Sequence, residues 1–302
     1  MDEHEWLAER FEEHRGHLRA VAYRMLGSVH EADDAVQDAW LRLNQSGASD
    51  IENLGGWLTT VVARICLNML RVCRTRSEHP IGIHVPDPII SPDQVAGPRQ
   101  PEQEALLAES VGLALIIVLD TLTPAERLTF VLHDMFDLPF DEIAPMVDRS
   151  PAAARQLASR ARRRVRALGA PVPDADHIVQ RRVVDAFFAA ARSGDFDALV
   201  ALLDPDIVMR ADGGASRPQA SAVVRGAPAV ARRALMFAQP TAVVRSALVN
   251  GAAGVVITAG DRPISVMGFT VTNERIVEIY AIVDPDRLTG LDLTALDIQD
   301  TA

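Results

Sequence analysis

Lysine is absent from this chain: all thirty basic residues are arginine. That wholesale replacement reads as genomic base composition rather than a functional preference, although arginine does suit bidentate contacts to phosphate and guanine. Cysteine is nearly absent. Cys66 and Cys73 fall in one helical stretch, form no CxxC and have no histidine beside them. This excludes a zinc site or a disulfide framework and points to two buried thiols of a reduced, cytoplasmic protein. No apolar run approaches the roughly 20 residues of a membrane span. The N-terminal MDEHEWLAERFEEH is acidic and amphipathic, unlike a signal peptide. Beyond His177 there is no histidine or cysteine and one tyrosine, Tyr280, so the last third of the chain is poor in general acid–base groups. No cofactor and no metal site is expected.

Acidic residues are missing from one long stretch. From Arg149 to Val172 there is no Asp or Glu but seven arginines, whereas the chain as a whole carries a net charge of −11. The protein is therefore no general polyanion binder. A basic element inside an acidic chain is a local footprint for nucleic acid.

The 302 residues suggest two to three domains. Residues 1–76 read as helices over Ala8–Leu26, Val29–Leu43 and Trp57–Arg74, with a polar loop NQSGASDIENLGG from Asn44 to Gly56. Residues 77–106 are a proline-rich linker that is expected to run extended. Its apolar Ile81, Ile83, Val85, Ile89 and Ile90 are more than a solvated tether needs. Residues 107–170 are helical again. Thr123-Pro124-Ala125-Glu126 forms a capping box with Pro at the first helical position. Phe140 to Val147 is a short second helix, and Ser150-Pro151 opens a third. Residues 174–290 turn from helices (Ala175–Ala191, Phe196–Leu203, Ala227–Phe237) to strands at Ile207–Ala211, Ala222–Arg225, Ala242–Val249, Gly254–Ala259, Ile264–Val271 and Ile276–Val283. This is an α+β pattern, followed by a tail at 291–302.

In the helix after Ser150, spacing assigns Ala154, Leu157, Ala158, Ala161, Val165 and Leu168 to the buried face. Ala153, Arg155, Gln156, Ser159, Arg160 and Arg163 lie outward. In a helix-turn-helix the N-terminal half of the second motif helix enters the major groove. Arg155 and Gln156 then read base edges, while Arg160, Arg162, Arg163 and Arg164 meet phosphates. Four neutralised phosphates imply a salt slope of roughly −3.6.

With GHLRAVAYRMLGSVHEADDAVQDAWLRL, GGWLTTVVARICLNMLR and RSPAAARQLASRAR in order, the chain resembles an extracytoplasmic-function (group IV) RNA polymerase sigma factor. The resemblance implies two all-α domains, with region 2 over 1–76 and region 4 over 107–170. It places Asp34, Gln37, Asp38 and Leu41 against the β′ clamp helices of core polymerase. It makes 44–56 the −10 specificity loop, flanked by Arg64, Asn68 and Arg71, and it gives Arg155, Gln156, Ser159, Arg160 and Arg163 to the −35 duplex. Residues 174–290 resemble the SnoaL-like (NTF2-like) cone of a sigma subgroup. Its linker and tail motifs correspond to HVPDPI, with Pro86, Asp87 and Pro88, to Asp212-Gly213-Gly214, and to Asp284-Pro285-Asp286-Arg287-Leu288.

The resemblance implies a C-terminal domain that contacts region 2 and the linker and regulates, without catalysis, a cytoplasmic factor whose partners are core RNA polymerase and promoter DNA. An unknown small ligand is compatible with that role, and no membrane is involved. Two other classes stay open at this point. One is a ligand-responsive helix-turn-helix regulator that never joins polymerase. The other is a cyclase or isomerase with a DNA-binding appendage, for which Asp204, Asp206 and Asp212 are the available carboxylates.

Overall fold

Apolar residues at three- and four-residue spacing fold the start of the chain into α1 (Glu3–Leu26), α2 (Val29–Ser46) and α3 (Leu54–Arg76). The chain turns between the first two at Gly27, whose φ of 75° is left-handed and suits glycine. Leu18, Val21 and Met25 of α1, Ala35, Val36 and Ala39 of α2, and Leu58, Val62 and Ile65 of α3 are buried. This is a computed structural model, and it describes residues 3–46, 51–76, 84–93, 112–169, 171, 173–238, 241–260, 262–291, 293 and 296. The chain divides into two compact units. One comprises Met1–His79, Glu104–Glu109 and Ile116–Ala170; the other comprises Pro80–Gln103, Ser110–Leu115 and Pro171–Ala302.

The expected polar loop from Asn44 to Gly56 is shorter at both ends. Asn44 to Ser46 continue α2, and α3 begins at Leu54. Polarity alone does not stop a helix whose other face is buried. Gly55 and Gly56 are tolerated in the first turn, where their carbonyls accept from the hydroxyls of Thr59 and Thr60 at 2.8 and 2.9 Å.

The first unit continues with α4 (Leu113–Asp120), of which the residues from Ile116 belong here, then α5 (Pro124–Phe130), α6 (Phe140–Ile143) and α7 (Pro151–Leu168). The capping box forms: the Thr123 hydroxyl accepts from the N–H of Glu126, and the Glu126 carboxylate accepts from the N–H of Thr123 at 3.1 Å. α5 widens into a π turn over Val131–Met135. The expected helix 140–147 is one α turn followed by a 3₁₀ turn at Ala144–Met146, where Pro145 has no N–H to continue the ladder. Ser150 caps α7 by accepting from Ala153 N–H at 3.3 Å, and Gly169 closes it at φ 59°. Ala154, Leu157, Ala158 and Ala161 are buried as expected. Leu168, expected inside, is 52% exposed, because the last turn of α7 runs past the helices it packs on.

The second unit is α+β. Helices α8 (His177–Ser193), α9 (Phe196–Leu202) and α10 (Ala227–Phe237) accompany one seven-stranded sheet of order β1-β4-β5-β6-β7-β2-β3. The strands β2 (Leu203–Asp212), β3 (Ala222–Arg225), β4 (Val243–Val249), β5 (Ala252–Ala259), β6 (Arg262–Thr272) and β7 (Arg275–Ile282) have ends no more than four residues from the sequence expectation, and β3 matches it at both ends. Among the described residues only the β2–β7 pair is parallel. The core runs from Val184 and Phe187 of α8 through Val230 of α10 to Phe269 and Ile279 of the sheet.

β1 is Ile90–Pro92, drawn from the linker and paired with β4 through Ile90↔Val249 and Pro92↔Ala247. Proline, lacking an N–H, is tolerated at such an edge. A short helix, α11 (Pro285–Thr289), follows the last strand. Leu293 is buried, so the packed part of the chain reaches past residue 290.

Candidate nucleic-acid interface and linker clamp

On α7, Arg155, Gln156, Ser159, Arg160 and Arg163 are all exposed and share the face opposite the buried alanines. Arg155 lies over the ring of Phe140, with its guanidinium carbon 5.5 Å from the centroid. That contact holds the side chain near the entry of the helix at modest entropic cost. Two neighbouring cations are already paired: Arg160 with Glu126 at 3.2 Å and Arg162 with Asp134 at 2.5 Å. Arg163 and Arg164 have no carboxylate partner among the described residues. The expectation of four unpaired phosphate contacts is thereby reduced, since two of the arginines must first leave a carboxylate.

Burial acts to raise the pKa of Glu126. The N–H and hydroxyl of Thr123 and the Arg160 guanidinium outweigh it and hold the carboxyl below the ordinary glutamate range. A folded pKa below the unfolded one gives stability that is complete above the unfolded value and lost as pH falls through the folded value. Glu126→Gln is therefore expected to lower the urea midpoint at neutral pH and to shrink the drop between neutral pH and about pH 4. An unchanged acid limb in the variant would contradict this.

On α2, Asp34, Gln37, Asp38 and Leu41 fall at i, i+3, i+4 and i+7 and form one exposed stripe, while Ala32, Ala35, Val36 and Ala39 of the opposite face are buried. Leu41 is 48% exposed, a large apolar side chain amid carboxylates. On α3, Arg64, Asn68 and Arg71 are exposed at helical spacing. Arg64 donates to the carbonyl of Pro145 at 3.3 Å, within the same compact unit. In this unit Arg127 also donates through Nε to the carbonyl of Arg24 at 3.0 Å, and Arg24 covers the Phe136 ring at 4.5 Å. Trp57 is partly buried, and residues 47–50 of the expected −10 loop lie outside the described residues. Cys66 is buried and reduced, its thiol pushed up to about 12 by burial despite the nearby Arg127 cation. Cys73 belongs to α3, and its side chain lies outside the described residues.

The three motifs flagged in the linker and tail meet in the second unit. Arg287 donates to the Asp212 carboxylate at 2.7 Å, to the Val85 carbonyl at 2.6 Å and to Asp87 at 2.9 Å. Asp212 also accepts from the N–H of Val85 and of Gly214, each at 2.9 Å. Arg287 was legible only as one letter of a motif, yet it is the hub. Gly214 has φ 59°, and a Cβ there would sit 1.7 Å from Asp284 Oδ2, so the second glycine is obligatory. Asp284 caps α11 by accepting from Asp286 N–H at 3.1 Å, Pro285 opens that helix, and Asp286 accepts from the Ser216 hydroxyl. Val85, Pro86 and Pro88 are buried, and Asp87 partly so. Further along, Ile89 and Asn250 exchange two hydrogen bonds, of 2.8 and 2.9 Å, and Asp93 pairs with Arg181. Asn250 was legible only as a turn residue before Gly251, and Arg181 carried no signal in the sequence.

The second unit also holds a cavity of about 510 Å³, partly open to solvent, between the sheet and α8 and α10. None of Asp204, Asp206 or Asp212 lines it, and among the described residues its lining contains no carboxylate, histidine, cysteine or tyrosine. Tyr280 is buried and donates to Glu278. Burial, then the charge of Glu278, raises its pKa, so it does not ionise at neutral pH. Among the described residues, this lining therefore offers no side chains for the general acid–base pair of a cyclase or isomerase. Among the described residues no cluster of side chains could hold a metal ion, and no helix is long and apolar enough to cross a membrane.

Residues 10–76 match Sigma-70 region 2, and residues 113–165 match Sigma-70, region 4. The chain is 37% identical to the ECF RNA polymerase sigma factor SigJ of Mycobacterium tuberculosis, over 96% of each chain. It belongs to the extracytoplasmic-function sigma factor family. It is also 33% identical to the probable sigma factor SigI of the same species, over 96% of this chain and 98% of that one. The crystal structure of M. tuberculosis SigJ superposes with a TM-score of 0.75 at 34% identity, covering 95% of this chain and 99% of that one. This sigma factor is a multidomain protein with two helical sigma domains followed by an α+β domain, and its function is promoter-directed transcription initiation. A match spanning both sigma regions and the C-terminal domain disfavours a regulator that works apart from polymerase.

Proposed function

We propose that the C-terminal domain sets the reach of the tether between the two promoter-reading regions by holding it. The observation that carries this is the triple grip of Arg287 on Val85, Asp87 and Asp212, continued by the β1–β4 pairing. Ten residues that could otherwise span freely between regions 2 and 4, from His84 to Asp93, are fixed to a folded domain. Holding or releasing them changes the distances that regions 2 and 4 can bridge. In this reading Asp34, Gln37, Asp38 and Leu41 dock on the β′ clamp helices of core polymerase. Arg64, Asn68 and Arg71 line the −10 strand, and α7 reads the −35 duplex. The domain regulates without catalysis, and the factor works in the cytoplasm.

The test is in vitro transcription with purified core polymerase, comparing the full chain with a 1–169 truncation. A change in output in either direction supports regulation, and equal core binding and output would overturn it. Separately, pull-down of core polymerase is expected to fall at least tenfold on Gln37→Ala with Asp38→Ala, a loss of about 1.4 kcal/mol or more. Retained binding would move the polymerase contact off α2.

A further inference from the structure

The cavity of the C-terminal domain has an uneven chemistry. Its walls are apolar, with Phe187 and Phe188 on one side and Met267 and Ile279 on the other. Its charged lining is entirely cationic: Arg192, Arg217 and Arg233. A chain of net charge −11 has thus placed three arginines, the exposed Arg192 and Arg217 and the half-buried Arg233, on the lining of one apolar chamber with, among the described residues, no carboxylate. None of the three has a carboxylate partner among the described residues. Arg233 is held in place, donating to the Ala220 carbonyl at 3.1 Å and lying 4.9 Å over the Phe237 ring. These contacts use part of the fork and leave its charge unneutralised.

A second observation points the same way. Ser265 belongs to the chamber wall, its residue is 8% exposed, and its hydroxyl is buried without a hydrogen-bond partner. A buried hydroxyl left unsatisfied is costly, and a ligand oxygen would satisfy it once the Ser265 side chain turns to face the chamber. The volume lies inside the range of about 300–1,000 Å³ in which drug-sized ligands are enclosed.

We infer that this cavity is a binding site for an amphipathic monoanion, a medium-chain carboxylate in its simplest form, with the apolar body among the phenylalanines and the anionic head at the arginines. A neutral alcohol of the same length would gain the apolar burial but not the charge-assisted hydrogen bonds. An amine would meet like charge. The site thus ranks anion over neutral over cation, the reverse of what the overall charge of the protein favours.

The experiment uses the full-length protein and a fluorescent fatty acid, 11-(dansylamino)undecanoate, displaced by decanoate, decanol or decylamine. Decanoate is expected to displace the probe at a concentration at least tenfold below decanol, with decylamine weakest. Arg217→Ala, on an exposed side chain, is expected to weaken decanoate about tenfold while leaving decanol unchanged. Ala234→Trp, which fills the chamber, is expected to abolish binding of all three. Equal displacement by decanoate and decanol, no probe binding by the native chain, or probe binding unaffected by Ala234→Trp would each overturn the assignment. Circular dichroism and thermal melting of each variant separate loss of the site from loss of the fold.

Discussion

Arg287→Ala is expected to destabilise the C-terminal unit by about 3 kcal/mol and to free the 84–93 segment. Removing one partner of a buried ion pair typically costs about 3–5 kcal/mol, because the remaining charge stays desolvated. The lower end applies here, since Asp212 keeps the N–H groups of Val85 and Gly214 and Asp87 is only partly buried. Urea unfolding followed in the C-terminal unit gives the stability, and limited proteolysis between residues 84 and 93 gives the release. Arg287→Lys should fall between the two. It restores charge but not a fork able to reach Asp212, Asp87 and a carbonyl together. A variant that loses stability but keeps the segment protected would show that β1 alone holds the linker. In transcription assays the same variant should reproduce the direction of the 1–169 truncation, because both act through the tether.

The second large effect lies at the opposite functional pole. Arg155→Ala is expected to weaken binding of a −35 duplex by holoenzyme roughly tenfold or more, and to do so selectively at one base pair. Arg163→Ala should weaken binding to all sequences alike and make the salt slope shallower by about 1. Arg160→Ala should do less than Arg163→Ala, since Arg160 already satisfies Glu126 and its net gain from phosphate is the difference between two ion pairs. Titrations at several salt concentrations, on a matched and a singly substituted duplex, separate the three. Equal losses on both duplexes for Arg155→Ala would place that side chain on the backbone instead of a base edge.

These features were legible to different degrees for physical reasons. The capping box at Thr123 and the Ser150 cap are local, with partners three residues apart, so sequence alone reveals them. The buried and exposed faces of α2 and most of α7 follow from helical period. The ends of helices were harder to see. Asn44 to Ser46 are polar yet helical, and Leu168 is apolar yet exposed, because packing rather than residue type decides the last turn. The linker was the hardest. Its apolar residues hinted at a docking partner, but a three-residue strand containing Pro92 has no periodicity to detect. The Arg287–Asp87 contact joins residues 200 apart in the chain. The family resemblance named those motifs, and the structure supplied the reason they belong together.

The borrowed strand has a consequence for solubility. β1 lies at one end of the sheet, where it covers the outer hydrogen-bonding edge of β4. When the linker leaves, the backbone of Val243–Val249 loses its neighbour and becomes an open edge of the kind that recruits strands from other chains. β4 reads VVRSALV, with Arg245 its single charge, and so has little to repel such a strand. Release of the tether and self-association are therefore linked, and a C-terminal domain produced without residues 90–92 starts life with that edge bare.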